Sequence, residues 1–159
     1  MPVETVERID VAINPFRRYF SSRGTASGCL VTGTDKVRSG YGNGDCLLAD
    51  FSCMVFAVAD ATERFSHSSR QFLHRLVEYL HGRGRPSDAA AWNACFSEIF
   101  ASQEYRQKTT VTVVALHEQD NDKLLCHIMS GGDSGVAIIN AAGNELYRSR
   151  VNMNFAGRS

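Results

Sequence analysis

The chain has 159 residues, with 17 basic and 17 acidic side chains and a hydrophobic fraction of 43%. Because a folded domain holds roughly 100–200 residues, we expect residues 1–159 to form a single soluble domain with one core. The formal net charge is zero, so no long-range field attracts phosphate backbones or anionic lipids. We therefore expect no nucleic acid and no membrane among its partners.

We expect neither a membrane span nor a secretory signal. The longest apolar run, Cys53 to Ala59, is far shorter than the roughly 20 residues that cross a bilayer. The first ten residues lack the basic and apolar regions of a signal peptide, which makes the cytoplasm the expected location. The cysteines are odd in number and include no C-x-x-C pair, so we expect free thiols that pack as small side chains. They are Cys29, Cys46, Cys53, Cys95 and Cys126.

Residues 1–27 form a weakly defined lead-in. They mix charged, small and apolar residues without a clear period, apart from a short strand expected near 11–13. Residues 28–32 predict a further strand. Glycines then recur among polar residues from 33 to 44, which predicts an exposed loop of the kind that often carries function.

Two paired strands are predicted next, at residues 45–50 and 53–60, on either side of a break at Phe51-Ser52. The second strand is apolar on both faces. This pattern is typical of an interior strand in a sheet that is packed on both sides.

Two helices follow, and both carry an apolar face that needs a sheet to cover. Ser66 can cap the first helix, which ends at the Gly-Arg-Gly-Arg-Pro segment 82–86. Ser87 or Asp88 can cap the second. The apolar face of the first helix consists of Phe72, Leu73, Leu76, Val77 and Leu80, and that of the second of Trp92, Cys95, Phe96, Ile99 and Phe100.

After Lys108 the apolar period becomes that of strands. Short polar turns separate the segments, which leaves no room for crossover helices and predicts an antiparallel meander. The order of strands, two helices and then hairpins predicts an α+β fold. The predicted strands of the meander are residues 109–116, 124–129, 136–139 and 146–147.

The histidines are expected to pack or to be solvated. His67, His74 and His81 recur every seven residues, so consecutive members lie roughly 10 Å apart along a helix, too far to share one ion. We expect them to flank the apolar face. His117 and His127 fall in strands of the meander and are expected to pack there.

Three aspartates stand where strands begin or end. Asp45 opens one predicted strand and Asp60 closes the next, so pairing of the two strands would bring both side chains to one end of the sheet. A divalent cation relieves the repulsion of such a pair, and oxygen ligands suit Mg²⁺ or Mn²⁺. Alternatively, both are ordinary turn residues. Asp133, in a Ser-Gly-Gly-Asp-Ser-Gly turn, faces either solvent or a site.

Four segments, taken in order, resemble the PPM-type (PP2C) metal-dependent protein phosphatases over about residues 38–157, especially their compact bacterial SpoIIE-like and RsbX-like branch. The segments are Gly44-Asp45, Val58-Ala59-Asp60-Ala61, Thr109-Thr110-Val111 and Gly132-Asp133-Ser134. The resemblance implies a PP2C-like α/β/β/α sandwich of two antiparallel sheets flanked by helices. It also implies two Mn²⁺ or Mg²⁺ ions at one end of the sheets.

The resemblance further implies a role for each site residue. Asp60 would be the bridging metal ligand, Ala61 would offer its backbone carbonyl, and Asp45 would join or support them. Asp133 would belong to an outer metal region. The implied reaction is hydrolysis of phosphoserine or phosphothreonine esters by metal-activated water, with Asp60 and Asp45 as catalytic residues. Arg38 would grip the phosphate, or else is a solvated loop arginine.

The sequence also departs from the family pattern. Many relatives carry an acid where Gly44 stands, although the compact bacterial branch tends toward glycine. The glycines expected after Asp60 are missing, and Glu145 is the one acidic residue after Asp133. The C-terminal metal ligands are thus absent, and we expect a fold that is incomplete at its C-terminus. The alternatives are a catalytically inactive phosphatase-like module that binds or regulates a protein partner, and an unrelated α+β domain.

Overall fold

A computed structural model of the chain describes eight parts of it, and every structural statement below concerns these parts. They are residues 7–9, 18–23, 26–31, 38, 43–61, 67–101, 109–120 and 123–150. The strand expected at 11–13 and the helix cap expected at Ser66 lie outside the described residues.

The described residues form one main sheet of five antiparallel strands and two separate two-stranded sheets. The main sheet consists, in spatial order, of β1 (Glu7–Ile9), β4 (Cys46–Asp50), β5 (Val55–Ala61), β6 (Thr109–Gln119) and β7 (Lys123–Gly131). One two-stranded sheet pairs β2 (Arg18–Arg23) with β3 (Ala26–Val31), and the other pairs β8 (Ala137–Ile139) with β9 (Glu145–Arg148).

The two helices are α1 (Ser68–Arg83) and α2 (Ala89–Ala101), and their apolar faces cover one face of the main sheet. Gly84, with φ of 86°, ends α1 and donates its N–H to Leu80 O at 3.0 Å. Asp88 caps α2 as predicted, because its Oδ1 accepts from the N–H of Ala91 at 2.9 Å. The buried core of helices and strands includes Phe72, Leu73, Leu76, Leu80, Trp92, Cys95, Ile99, Val55, Val111 and Val113.

Strand β5 lies in the middle of the sheet, as its apolar sequence predicts, but it is not covered equally on both faces. Alternate residues from Val55 to Ala61 are buried under the helices, whereas Val58 and Asp60 on the other face are exposed. The prediction of a strand packed on both sides is therefore wrong for the described residues. The exposed face of β5 is the one that carries Asp60.

Two other expectations, the exposed end of the glycine-rich loop and the extent of the meander, are corrected by the structure. Within residues 1–27 the structure describes β1, β2 and the start of β3, short strands that give little periodic signal in the sequence. Asn43 and Gly44 are buried, so the end of the glycine-rich loop is not exposed. Helix α1 begins at Ser68 after His67, which makes no side-chain capping bond, and the cap expected at Ser66 stays a prediction. Strand β8 pairs with β9 and not with β7, so the meander ends at β7.

Among the described residues, no helix combines the length and the apolar character that a membrane span requires.

The core predicts a clear contrast between two leucine truncations. Leu76 is fully buried between α1 and the sheet, whereas Leu124 is 60% exposed. We expect Leu76→Ala to lower the free energy of unfolding by about 2–5 kcal/mol, because it removes buried methyl groups and leaves a cavity. Leu124→Ala is the matched control, with an expected change within about 0.5 kcal/mol. Urea unfolding followed by circular dichroism measures both, and equal losses would contradict this description of the core.

Candidate functional site

The register of β4 and β5 places Asp45 opposite Asp60. Cys46 pairs with Ala59, and the ladder continues beyond the strand, because the Ala61 N–H donates to Gly44 O at 3.2 Å. Hydrogen-bonded and non-hydrogen-bonded pairs alternate along an antiparallel ladder. Because residues 44 and 61 form a hydrogen-bonded pair, residues 45 and 60 form a non-hydrogen-bonded pair. In such pairs the Cα atoms lie about 4.5 Å apart and the side chains are closest. Both aspartates extend from the face opposite the helices.

The backbone of Gly44 closely approaches Ala61 and the Asp60 carboxylate. A Cβ atom at this position would lie 2.5 Å from the backbone oxygen of Ala61 and 3.3 Å from Asp60 Oδ1. The Asp60 carboxylate and the Ala61 carbonyl therefore stand next to each other over a position that has no side chain. Carboxylate and carbonyl oxygens are the ligands that Mg²⁺ and Mn²⁺ prefer, so these donors fit a hard divalent cation.

The first turn of α1 fixes the segment that leads into Asp45. Ser69 is fully buried and donates its hydroxyl to Gly44 O. Arg70 Nη2 donates to Asn43 O at 3.1 Å. The side chain of Asn43 in turn accepts from the Asp45 N–H at 3.0 Å. These bonds hold the backbone on either side of Gly44, so the position of Asp45 is defined by the helix as well as by the sheet.

The threonine-rich strand β6 connects Asp60 to the turn that contains Asp133. Thr110 is the cross-strand partner of Asp60, and its Oγ1 lies 2.6 Å from Ser134 Oγ. Thr112 Oγ1 donates to Ser134 O at 2.8 Å. Gly132, with φ of 84°, approaches so closely that a Cβ there would lie 2.5 Å from Thr110 Cγ2. The threonines thus hold the Gly-Asp-Ser turn at the end of the sheet where Asp60 lies.

The predicted site residues are therefore brought together only in part. Asp45, Asp60 and Ala61 are neighbours at one end of β4 and β5. Asp133 is exposed in a turn two strands away from β5, about 10 Å across the sheet. It does not complete a three-ligand cluster with Asp45 and Asp60 among the described residues. Arg38 is an exposed residue, and its contact with phosphate stays a prediction.

A second cluster, which the sequence did not reveal, lies at the opposite end of the same two strands. Asp50, Cys53 and His81 place one potential ligand atom each within 4.8 Å of one another. Asp50 is buried at the end of β4, and its Oδ2 lies 2.8 Å from His81 Nε2. Burial acts to raise the pKa of Asp50, but hydrogen bonds from Ser52, Cys53 and His81 outweigh it, so that pKa is lowered.

Among the described side chains, neither the other cysteines nor the histidine pair of the meander belongs to a further group of three potential ligands. Burial raises the pKa of Cys95 to about 11 and also raises that of Cys126, so both remain thiols at neutral pH. The rings of His117 and His127 are 4.8 Å apart, as their expected packing role implies. Burial, with the nearby charge of Arg85, lowers the pKa of His117, so this ring is uncharged at neutral pH.

Comparison with known proteins supports the fold. No family model and no curated protein matches the chain. Among solved structures, the chain is similar to the PPM Ser-Thr phosphatase MsPP from Mycobacterium smegmatis, solved in complex with cacodylate. The TM-score is 0.50 and the identity is 23%, over 67% of this chain and 47% of that chain. The chain thus spans about half the length of that phosphatase chain.

This likeness defines the class of fold. The chain has a PP2C-like α+β fold with antiparallel sheets and two helices, and the predicted fold class is confirmed. At this identity the likeness concerns the fold alone, and assignment to the SpoIIE-like and RsbX-like branch stays a prediction.

The close approach at Gly44 predicts the effect of adding one methyl group. We expect Gly44→Ala to lower the free energy of unfolding by about 1–3 kcal/mol, because the new Cβ meets the backbone oxygen of Ala61. Gly82→Ala is the matched control: nothing lies within 4 Å of its added Cβ, and it is helical. It is expected to stabilise the protein by about 0.5–1 kcal/mol. Urea unfolding tests both, and equal changes would refute the close approach.

Proposed function

We propose that the chain is a PPM-type protein phosphatase domain that hydrolyses phosphoserine and phosphothreonine esters with Mn²⁺ or Mg²⁺. The observation that carries the proposal is the facing pair Asp45 and Asp60, beside the Ala61 carbonyl and the close backbone approach at Gly44. The PP2C-like fold supports it. Gly44 also favours the compact bacterial branch, and the proposed substrate is a cytoplasmic phosphoprotein.

In this proposal the residues of the chain hold and orient the reacting groups. Asp60, Ala61 and Asp45 would hold the cation, and Asp133 would serve an outer metal position. A bound divalent cation supplies acidification of water and neutralises charge on the phosphoryl oxygens. The hydrogen bonds of Ser69 and Arg70 keep the Gly44 segment in place, which restrains the backbone that carries Asp45. Arg38 would bind the phosphate through its planar guanidinium.

A second candidate is a catalytically inactive module that binds or regulates a protein partner. It is favoured by the absence of a third carboxylate close to Asp45 and Asp60 within the described part of the chain. Two carboxylates hold one hard cation less firmly than the larger oxygen sets of tight sites. Such a module would retain the fold and a protein-binding surface without turnover.

The two candidates differ in metal-dependent turnover. We expect Mn²⁺ to support hydrolysis of p-nitrophenyl phosphate by the wild-type chain, and Asp60→Asn to lower kcat/KM at least ~100-fold, since loss of a metal ligand removes several kcal/mol of transition-state stabilisation. Asp120→Asn is the matched control, because Asp120 is exposed in the turn after β6, at the other end of the sheet. It should keep wild-type activity.

The same variants are heated with and without Mn²⁺ to separate binding from turnover. The proposed enzyme gains melting temperature with Mn²⁺, and Asp60→Asn loses that gain. A wild-type chain that shows no turnover would overturn the enzyme proposal and favour the binding module. Turnover unaffected by Asp60→Asn would remove this carboxylate from the mechanism.

A further inference from the structure

We propose that Asp50, Cys53 and His81 form a second metal site, for a borderline transition metal such as Zn²⁺. The site is independent of the proposed phosphatase centre. Asp50 lies five residues from Asp45 along an extended segment, which separates the two sites by roughly 17 Å. Among the described residues this is the one group of three histidine, cysteine or acidic side chains close enough to share an ion.

The chemistry of the three ligand atoms selects the metal. An imidazole nitrogen, a sulfur and a carboxylate oxygen form a mixed set that suits Zn²⁺ and Co²⁺, whereas Mg²⁺ and Mn²⁺ favour oxygen alone. Zinc bonds of about 2.0–2.3 Å in a tetrahedral arrangement place ligand atoms roughly 3.4–3.6 Å apart. The Asp50–His81 pair at 2.8 Å must widen slightly to match this spacing, and the Cys53 sulfur lies within 4.8 Å of both partner atoms.

The carboxylate is already oriented for this role. Asp50 Oδ1 accepts from the N–H groups of Ser52 and Cys53, each at 3.0 Å, and from Ser52 Oγ at 2.6 Å. These bonds occupy one oxygen and leave Oδ2 directed at His81. Hydrogen bonding of this kind around a ligand fixes its orientation and increases metal affinity.

The backbone around Cys53 is also held. Arg85 Nη1 donates to Cys53 O at 2.8 Å, and the Leu116 N–H donates to Met54 O at 3.0 Å. Met54 has φ of 50°, a left-handed conformation that residues with a side chain rarely adopt and that concentrates at functional sites. It returns the chain into β5 immediately after Cys53, so the tight turn keeps the sulfur near Asp50.

The third ligand is accessible from solvent. The His81 side chain is 41% exposed in the last turn of α1, whereas that of Asp50 is fully buried. An ion can therefore enter from the His81 side, and a water molecule can complete a four-coordinate shell.

Cobalt provides a direct test, because a bond between Co²⁺ and a cysteine sulfur adds a charge-transfer absorption. We expect the wild-type chain to bind one Co²⁺ with this absorption, and Zn²⁺ to displace it. Cys53→Ser should abolish the absorption. His81→Asn should weaken Co²⁺ binding by more than roughly 10–100-fold, which is the loss expected for a residue that only hydrogen bonds to a metal ligand. Asp50 is left unchanged, because it also holds the turn.

The controls match each change. Cys126→Ser replaces a half-buried cysteine of β7, and His74→Asn replaces an exposed histidine of α1. Both residues lie outside the cluster, so both variants should bind Co²⁺ as the wild type does. Asp60→Asn should also retain the absorption, because Asp60 is not a ligand of this site. The cobalt result therefore does not depend on whether the phosphatase proposal is correct. Circular dichroism checks that each variant is folded. The proposal is overturned if the folded wild-type chain shows no cobalt–sulfur absorption, or if the absorption persists in Cys53→Ser.

Discussion

The pairing of β4 with β5 is the constraint on which both candidate sites depend. One register places Cys46 opposite Ala59 and Asp50 opposite Val55, and it continues to the hydrogen bond between Ala61 and Gly44. Because side chains alternate between faces, a slip of one residue would move Asp45 off the face that carries Asp60. It would also remove Cys46 and Leu48 from the core, so burial of these side chains opposes the slip.

The sequence carries enough information for this part of the fold because the signals are local. Two apolar segments on either side of the Phe51-Ser52 break predict the hairpin, and pairing of the two strands about that break brings Asp45 and Asp60 to one end of the sheet. The apolar face of α1 is equally clear, and four of its five predicted members are buried, with Val77 partly buried. In each case, neighbours along the chain are also neighbours in the structure.

The remaining features depend on contacts between distant parts of the chain. Strand β1 pairs with β4 about forty residues later. Nothing in the local pattern of β1 specifies this partner. The Asp50–His81 contact joins a turn to the end of a helix 31 residues away. The seven-residue spacing of the histidines identifies the face on which His81 lies, but the aspartate beneath it becomes visible only when α1 is placed on the sheet.

Helix α1 contacts both ends of the hairpin. Its 16 residues span about 24 Å, enough to pass the full length of β4. Ser69 in its first turn binds Gly44, and His81 in its last turn binds Asp50. Between these contacts, Phe72, Leu76 and Leu80 are buried in the core. The helix and the hairpin therefore form one packed unit, and the positions of the Asp45–Asp60 pair and of the Asp50–Cys53–His81 cluster both depend on how this helix packs against the sheet.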